Sequence, residues 1–204
     1  MKLYWSPASP YARKVRVVAR EKDIAGRIEE VVVDAFADPA ELVSANSLGK
    51  VPTLLLEDGS TLYDSPVICT YLDAIGEGPP LVPQEAPDRF TVLRAEALAD
   101  GVMDLALGLT LERRKPEGER SPTTAARWRG QLLRALDRIA HDLPELPGEA
   151  TLGHLAFACA LGYLDFRHPD LAWRSGRPAL AAWFEAYADR PSLAATAPRQ
   201  NQSP

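Results

Sequence analysis

"TLLLEDGSTLYDSPVICTYLDAIG", residues 53–76, holds the turn on which the reading of the fold depends. Asp58-Gly59 stands between two short apolar runs and predicts a β-hairpin. Immediately after it, Ser65 is suited to a helix N-cap and Pro66 to the first helical position, with Gly76 placed to end the helix. The segment therefore reads strand, strand, helix. Upstream, "KLYW" (2–5) is a short strand closed by Ser6-Pro7. Val15, Val18 and Ala19 repeat at helical spacing with Tyr11 on the same face. "IEEVVVD" (28–34) is apolar and β-branched, which predicts a strand buried on both faces. "ADPAELVSANS" (37–47) predicts a short helix or turn. The order β-α-β-α-β-β-α implies a small mixed sheet, parallel units first and a hairpin last, with helices on its faces.

Downstream the rhythm changes. "GEGPPLVPQEAP" (76–87) has four prolines and two glycines and predicts a linker. Beyond residue 88 the strand signals disappear. A long Ala/Leu-rich stretch comes first, in which Gly101 and Gly108 could bend the chain or admit another backbone. Trp128, Leu132, Leu136, Ile139 and Leu143 then form one apolar stripe. "TLGHLAFACALGYLDF" (151–166) is apolar nearly all round, as expected of a helix at the centre of a bundle. Pro178 opens a last helix with Leu180, Trp183, Phe184 and Tyr187 on one face. The expected organisation is an α/β domain at 1–76, a linker at 77–87 and an all-α domain at 88–204.

Composition excludes several classes. The 204 residues are 46% hydrophobic and 25% charged, enough for a real core. A net charge of -5 gives no basic field for nucleic acid or anionic lipid. Cys69 and Cys159 are too few for a disulfide framework, and each sits in an apolar helical stretch. His141, His154 and His168 show no metal-ligand spacing. No signal-peptide core and no membrane-length apolar run of ~18 residues is visible. The expectation is a soluble, cytoplasmic protein with no metal, no nucleic-acid partner and no membrane partner.

"SPASPYARKVR" (6–16) raises a separate question. Ser9-Pro10 is an ordinary helix start, but Arg13, Lys14 and Arg16 lie in the first turns, at the positive end of the helix dipole. Together, "SPYARKVR", "NSLGKVPTLLLEDGSTLYDSPVICTYLD", "RAEALADGVMDLAL" and "LLRALDRIA…TLGHLAFACALGYLDFR" resemble the bacterial cytosolic glutathione S-transferases over nearly the whole chain. The resemblance implies a thioredoxin-like N-terminal domain that binds glutathione as co-substrate, an all-α C-terminal domain, and a homodimer.

The resemblance also carries residue roles. Ser9, rather than Ser6, is implied to hydrogen-bond the glutathione thiol. Lowering a thiol pKa by about two units needs roughly 2.7 kcal/mol of preference for the thiolate. A hydroxyl donor, a helix N-terminus and a nearby cation such as Arg13 together supply that order of energy. Val51-Pro52 is implied to be cis, with Val51 offering its backbone to the cysteinyl part of glutathione. Asp64 and Ser65 are implied to hold the γ-glutamyl end, and Lys50 the glycyl carboxylate. Residues 33–45 contain no Lys, Arg, Gln or Asn, so the glycyl side is built differently from many relatives. A hydrophobic electrophile is expected beside Tyr11, Trp5, Met103 and Leu107. A second departure is Thr151-Leu152-Gly153-His154, where the family commonly has Ser/Thr-x-x-Asp as a capping box. Two alternatives remain open: a glutathione-dependent reductase or isomerase, and a non-catalytic transferase-like protein-binding module of the stringent-starvation type.

Overall fold

A computed structural model describes residues 1–148 and 150–198. The chain forms two compact units, one of residues 1–84 together with the C-terminal segment from Pro191, the other of residues 85–190.

The first unit carries β1 (Lys2–Trp5), α1 (Pro10–Glu21), β2 (Glu29–Val32), α2 (Ala40–Ala45), β3 (Thr53–Leu55), β4 (Thr61–Leu62) and α3 (Ser65–Ile75). This is the expected βαβαββα order. The sheet runs β2-β1-β3-β4, with β1 parallel to β2 and antiparallel to β3, and β4 closing the hairpin. The fold is thioredoxin-like. One expectation fails at β2, which is an edge strand rather than one buried on both faces. Val32 is 60% exposed, whereas Val33 is buried with Tyr4 and Leu42 and Val31 packs against them, so the strand buries one face only.

Helix α1 starts where its sequence directs. Ser9 is extended at the N-cap, its Oγ accepts the Ala12 N–H at 3.2 Å, and Pro10 occupies the first turn. Val15, Val18 and Ala19 are buried against the unit's interior. Helix α3 begins one residue earlier than the cap rule predicts: Asp64 takes the cap position and Ser65 is the first helical residue. Its other end presses on the end of α1. A Cβ on Gly76 would stand 2.5 Å from the Lys22 Cβ and 2.8 Å from the Lys22 carbonyl, so only glycine fits.

The second unit contains α4 (Asp88–Arg114), α5 (Pro122–Asp142), α6 (Leu152–Arg167) and α7 (Pro178–Ala188). Helix α6 is buried on nearly every side, as its composition predicts. Gly153 is explained by packing: a Cβ there would lie 2.9 Å from the Ala95 Cβ of α4. The division of the chain departs from the sequence reading at its end. Helix α8 (Pro191–Ala194) packs on α1, so the segment from Pro191 belongs to the first unit rather than to the all-α domain.

The altered capping box at α6 still works. His154 Nδ1 accepts the Thr151 N–H at 3.2 Å, taking the place of the usual carboxylate. An acceptor at Nδ1 puts the single proton of the neutral ring on Nε2. The ring also stacks on Tyr187, with centroids 5.9 Å apart. Burial first, and the charge of Arg190 second, push the His154 pKa from 6.5 to about 4. Burial likewise lowers the pKa of His168, whose Nε2 lies 2.8 Å from the Ala106 carbonyl. A histidine held below its unfolded pKa contributes stability that is complete above about pH 6.5 and is lost as pH falls toward about 4. Over that window His154 accounts for ~3 kcal/mol. Urea unfolding between pH 7.5 and 4.5 is expected to show this loss, with His154→Asn, which retains an acceptor, flattening the profile. An unchanged slope in the variant contradicts the assignment.

Candidate functional site

Strand register brings the three predicted landmarks to one end of the sheet. Tyr4 pairs with Thr53, and Leu54 with Leu62. Continuing each ladder by one or two residues sets Val51-Pro52 beside Trp5-Ser6, and Asp64 beside Pro52. The N-termini of α1 and α3 therefore open at the same edge. Residues 9, 51–52 and 64–65, far apart in the chain, therefore lie toward the same edge of the sheet.

At the first landmark the Ser9 Oγ is used as an acceptor by Ala12, while its O–H has no acceptor among the described residues. The hydroxyl is thus oriented by the helix start and still has a proton to donate. The neighbouring cations are not a solvated face. Arg13 is 8% exposed and Lys14 wholly buried. Arg16 turns away: its Nε bonds Glu30 at 2.8 Å and its guanidinium lies 3.7 Å from the centre of the Trp5 ring. Arg13 sends Nη2 to the Leu193 carbonyl at 3.2 Å, and its Nε and Nη1 have no hydrogen-bond partner among the described residues.

The second landmark is the loop before β3, where the Val51–Pro52 bond is cis. The loop is shaped by Asn46, a residue whose role the sequence reading missed. Its buried amide donates to the Lys50 carbonyl at 3.2 Å and to Thr53 Oγ1 at 3.0 Å, and its Oδ1 accepts the Leu48 N–H at 3.0 Å. Thr53 Oγ1 donates to the same Lys50 carbonyl at 2.8 Å. Gly49 takes a left-handed φ of +60°, which completes the turn. An Asn followed three residues later by Gly before X-Pro is the signal for such a turn. Lys50 itself points its side chain to solvent, and the backbone groups of Val51 lie beyond the last ladder pair.

The third landmark is the start of α3. Ser65 is 1% exposed, and its hydroxyl makes no hydrogen bond among the described residues. The first intrahelical bond is from the Ile68 N–H to the Asp64 carbonyl, so the amides of Ser65 and Val67 stand free of the helix ladder. The peptide between Tyr63 and Asp64 is also cis, and the Asp64 carboxylate is exposed. Donors for an anion and a carboxylate for a cation thus sit side by side, a suitable seat for an amino-acid head group.

The residues expected to line an electrophile pocket fare differently. Tyr11 and Trp5 are half-buried in the first unit, Trp5 with Arg16 stacked on it. On α4, Leu107 is half-buried, whereas Met103 is fully buried and presents no surface. Cys69 and Cys159 are both fully buried, as their apolar settings predict. Among the described residues, His141, Asp142 and Glu145 bring ligand-type atoms within 4.8 Å of one another. Asp142 is already bonded to Arg138 at 2.8 Å and lies 3.4 Å from Arg94, so the cluster reads as an ion-pair network. No helix of the described residues is long and apolar enough to cross a membrane.

Comparison with known proteins agrees with this fold. Residues 8–75 match the family model for the glutathione S-transferase N-terminal domain, and residues 122–186 the model for its C-terminal domain. The GST-like protein YibF of Escherichia coli K12 is 35% identical over 202 residues, spanning 97% of this chain and 98% of its own. A glutathione transferase family member from Pseudomonas fluorescens Pf-5, solved with bound glutathione, superposes with a TM-score of 0.93 at 39% identity, covering 98% of this chain and 99% of that one. A glutathione S-transferase from Methylobacillus flagellatus KT, solved with glutathione, gives a TM-score of 0.91 at 41% identity over 97% and 99% of the two chains. With both domains matched and relatives aligned along their full length, the chain belongs to the glutathione S-transferase family of enzymes.

Proposed function

We propose that the protein activates the glutathione thiol at Ser9 for attack on a hydrophobic electrophile. The observation that carries this reading is the Ser9 hydroxyl, fixed by the Ala12 N–H and left with a proton to give. The Ser9 O–H donates to the thiolate sulfur, and the α1 N-terminus favours the same anion. Arg13, one turn further on, adds a buried positive charge on that side of the helix. Proximity of the two bound reactants supplies the remainder of the rate.

The other landmarks hold the tripeptide. Val51 offers its N–H and C=O to the cysteinyl backbone as an added strand, which the turn before Pro52 leaves open. Ser65 and the start of α3 receive the γ-glutamyl carboxylate, and Asp64 its ammonium. Lys50 reaches the glycyl carboxylate from solvent. In the first unit, Tyr11 and Trp5 retain surface for an electrophile. Redox exchange through a protein thiol is disfavoured because Cys69 and Cys159 are both wholly buried. Two buried cysteines outside any disulfide accord with a reducing, cytoplasmic setting. A homodimer follows the family pattern and is supported by exposed apolar side chains at Tyr63, Val67 and Phe90, the last 65% exposed. Sedimentation equilibrium is expected to return twice the 22.3 kDa chain mass, and a single-chain mass rejects the dimer.

Ser9→Ala is expected to lower turnover with a chloronitrobenzene-type substrate at least tenfold, about 1.4 kcal/mol. Ser6→Ala is expected to change it far less, and equal activity of the two variants defeats the assignment of Ser9. Asn46→Ala removes the acceptor of the Leu48 amide and one of the two side-chain donors to the Lys50 carbonyl, a cost of about 2 kcal/mol. That loss is expected to weaken glutathione binding at least fivefold by calorimetry, with a lower melting temperature. Wild-type affinity in a folded Asn46→Ala protein shows that the turn does not shape the site.

A further inference from the structure

Helix α1 carries two charges at the wrong ends of its own dipole. Arg13 lies in the first turn and Glu21 is the last helical residue. Both are accounted for by α8, about 180 residues away in sequence. The Arg13 guanidinium donates from Nη2 at 3.2 Å to the Leu193 carbonyl, which also accepts the Thr196 N–H and hydroxyl just beyond α8, each at 3.3 Å. At the other end of α1, the Ser192 hydroxyl donates to Glu21 Oε1. The two partners on α1 are eight residues, about two helical turns, apart, and they hold the adjacent residues Ser192 and Leu193 of α8.

The tail is built to be held. Ser192, Leu193 and Thr196 are each at least 95% buried. The Thr196 hydroxyl turns back to the Ser192 carbonyl at 2.8 Å, fixing the chain just beyond α8. Among the described residues, the other two guanidinium nitrogens of Arg13 are buried without a hydrogen-bond partner, and the Leu193 carbonyl is its hydrogen-bonding acceptor. A buried guanidinium depends strongly on such a partner, because an uncompensated charge away from water is costly. The same turn of α1 presents the Ala12 N–H that orients Ser9.

We infer that the segment Pro191–Thr196 is a working part of the glutathione-binding unit, a clamp whose residues Ser192 and Leu193 position the first turn of α1 and through it the Ser9 hydroxyl. Ser192, Leu193 and Glu21 are positioning residues, since they reach Ser9 only through the helix. The inference rests on the reading of Ser9 given above, and its structural half can be measured without any ligand.

Amide hydrogen exchange of the unliganded full-length chain is read first, with Leu193→Ala and the milder Ser192→Ala. Exchange at Ala12 and Arg13 is expected to quicken at least tenfold in Leu193→Ala and by a smaller factor in Ser192→Ala. The second readout is the ultraviolet absorbance of bound glutathione as thiolate, followed against pH. Its midpoint is expected to rise by about half a unit or more in Leu193→Ala, with kcat falling and the KM for the electrophile unchanged. Faster exchange confined to residues 191–196, with α1 and the thiolate titration as in the wild type, overturns the clamp. Should Leu193→Ala fail to fold, Ser192→Ala decides by the same two measurements. A wild-type chain that shows no bound thiolate removes the Ser9 reading, whereas altered exchange at Ala12 still upholds the mechanical link.

Discussion

Lys22 and Asp73 form the buried ion pair around which the first unit is assembled. Lys22 is 2% exposed, with Nζ 3.1 Å from Asp73 Oδ1. The ammonium also donates to the carbonyls of Gly78 and Pro79, at 3.2 and 2.9 Å. Asp73 in turn accepts the N–H groups of Leu81 and Val82. One pair of side chains thus satisfies two carbonyls and two amides of a proline-rich segment that has no ladder of its own. Breaking such a pair from one side strands the other charge, at a cost of about 3–5 kcal/mol. The glycine at 76 belongs to the same junction, because the backbone of α3 must approach Lys22 more closely than any side chain allows. The end of α1 is pinned to α3 here, and the direction of α1 decides where Ser9 stands.

The positive charges along α1 look anomalous when the helix is considered alone. In the structure they are assigned to different neighbours. Lys22 ties the helix to α3 and the linker, Arg16 and Arg20 meet Glu30 on β2, and Arg13 meets the carbonyl end of α8. Arg13, near the start of α1, is unfavourable to the dipole of its own helix, whereas Arg20 and Lys22 at its end are favourable, and each is bonded to an element packed around the helix. A helix placed by bonds on several sides has little freedom to rotate, and a capping hydroxyl at its tip inherits that rigidity. This is the condition for a donor to act on a thiolate without first being ordered.

Much of this was legible in the sequence because the signals are local. Asp58-Gly59, Ser9-Pro10 and the polar-to-apolar rhythm of 53–76 each specify their own conformation within a few residues. The elements they define then follow the expected β-α-β-α-β-β-α order. The errors occur where the deciding partner is remote. "IEEVVVD" has the composition of a central strand, but its place is set by which neighbour it pairs with, and β1 pairs it at the sheet edge. Asp64 takes the cap in place of Ser65, a choice that residue preference alone does not decide, since both residues are good caps. Residues 191–196 show no helix signal that links them to the first half of the chain. Their partners are Glu21 and Arg13, separated from them by 171 and 180 positions.

The same distinction explains why the candidate site was easier to find than its supports. Ser9, Val51-Pro52 and Asp64-Ser65 are all ends of elements, and an element end is marked by capping and turn residues that can be recognised singly. What places them toward one edge of the sheet is strand register. The supports are of another kind: Asn46 inside a turn, Lys22 inside a junction, Leu193 offering only a carbonyl. None of these has a side chain whose chemistry announces its task. Leu193 in particular acts through a backbone atom, so no substitution of its side chain would remove the acceptor itself. Its side chain matters because it is 1% exposed and holds that carbonyl in place for Arg13. Packing there does the work of orientation, and the geometry of Ser9 rests on apolar burial at the far end of the chain as much as on its own cap.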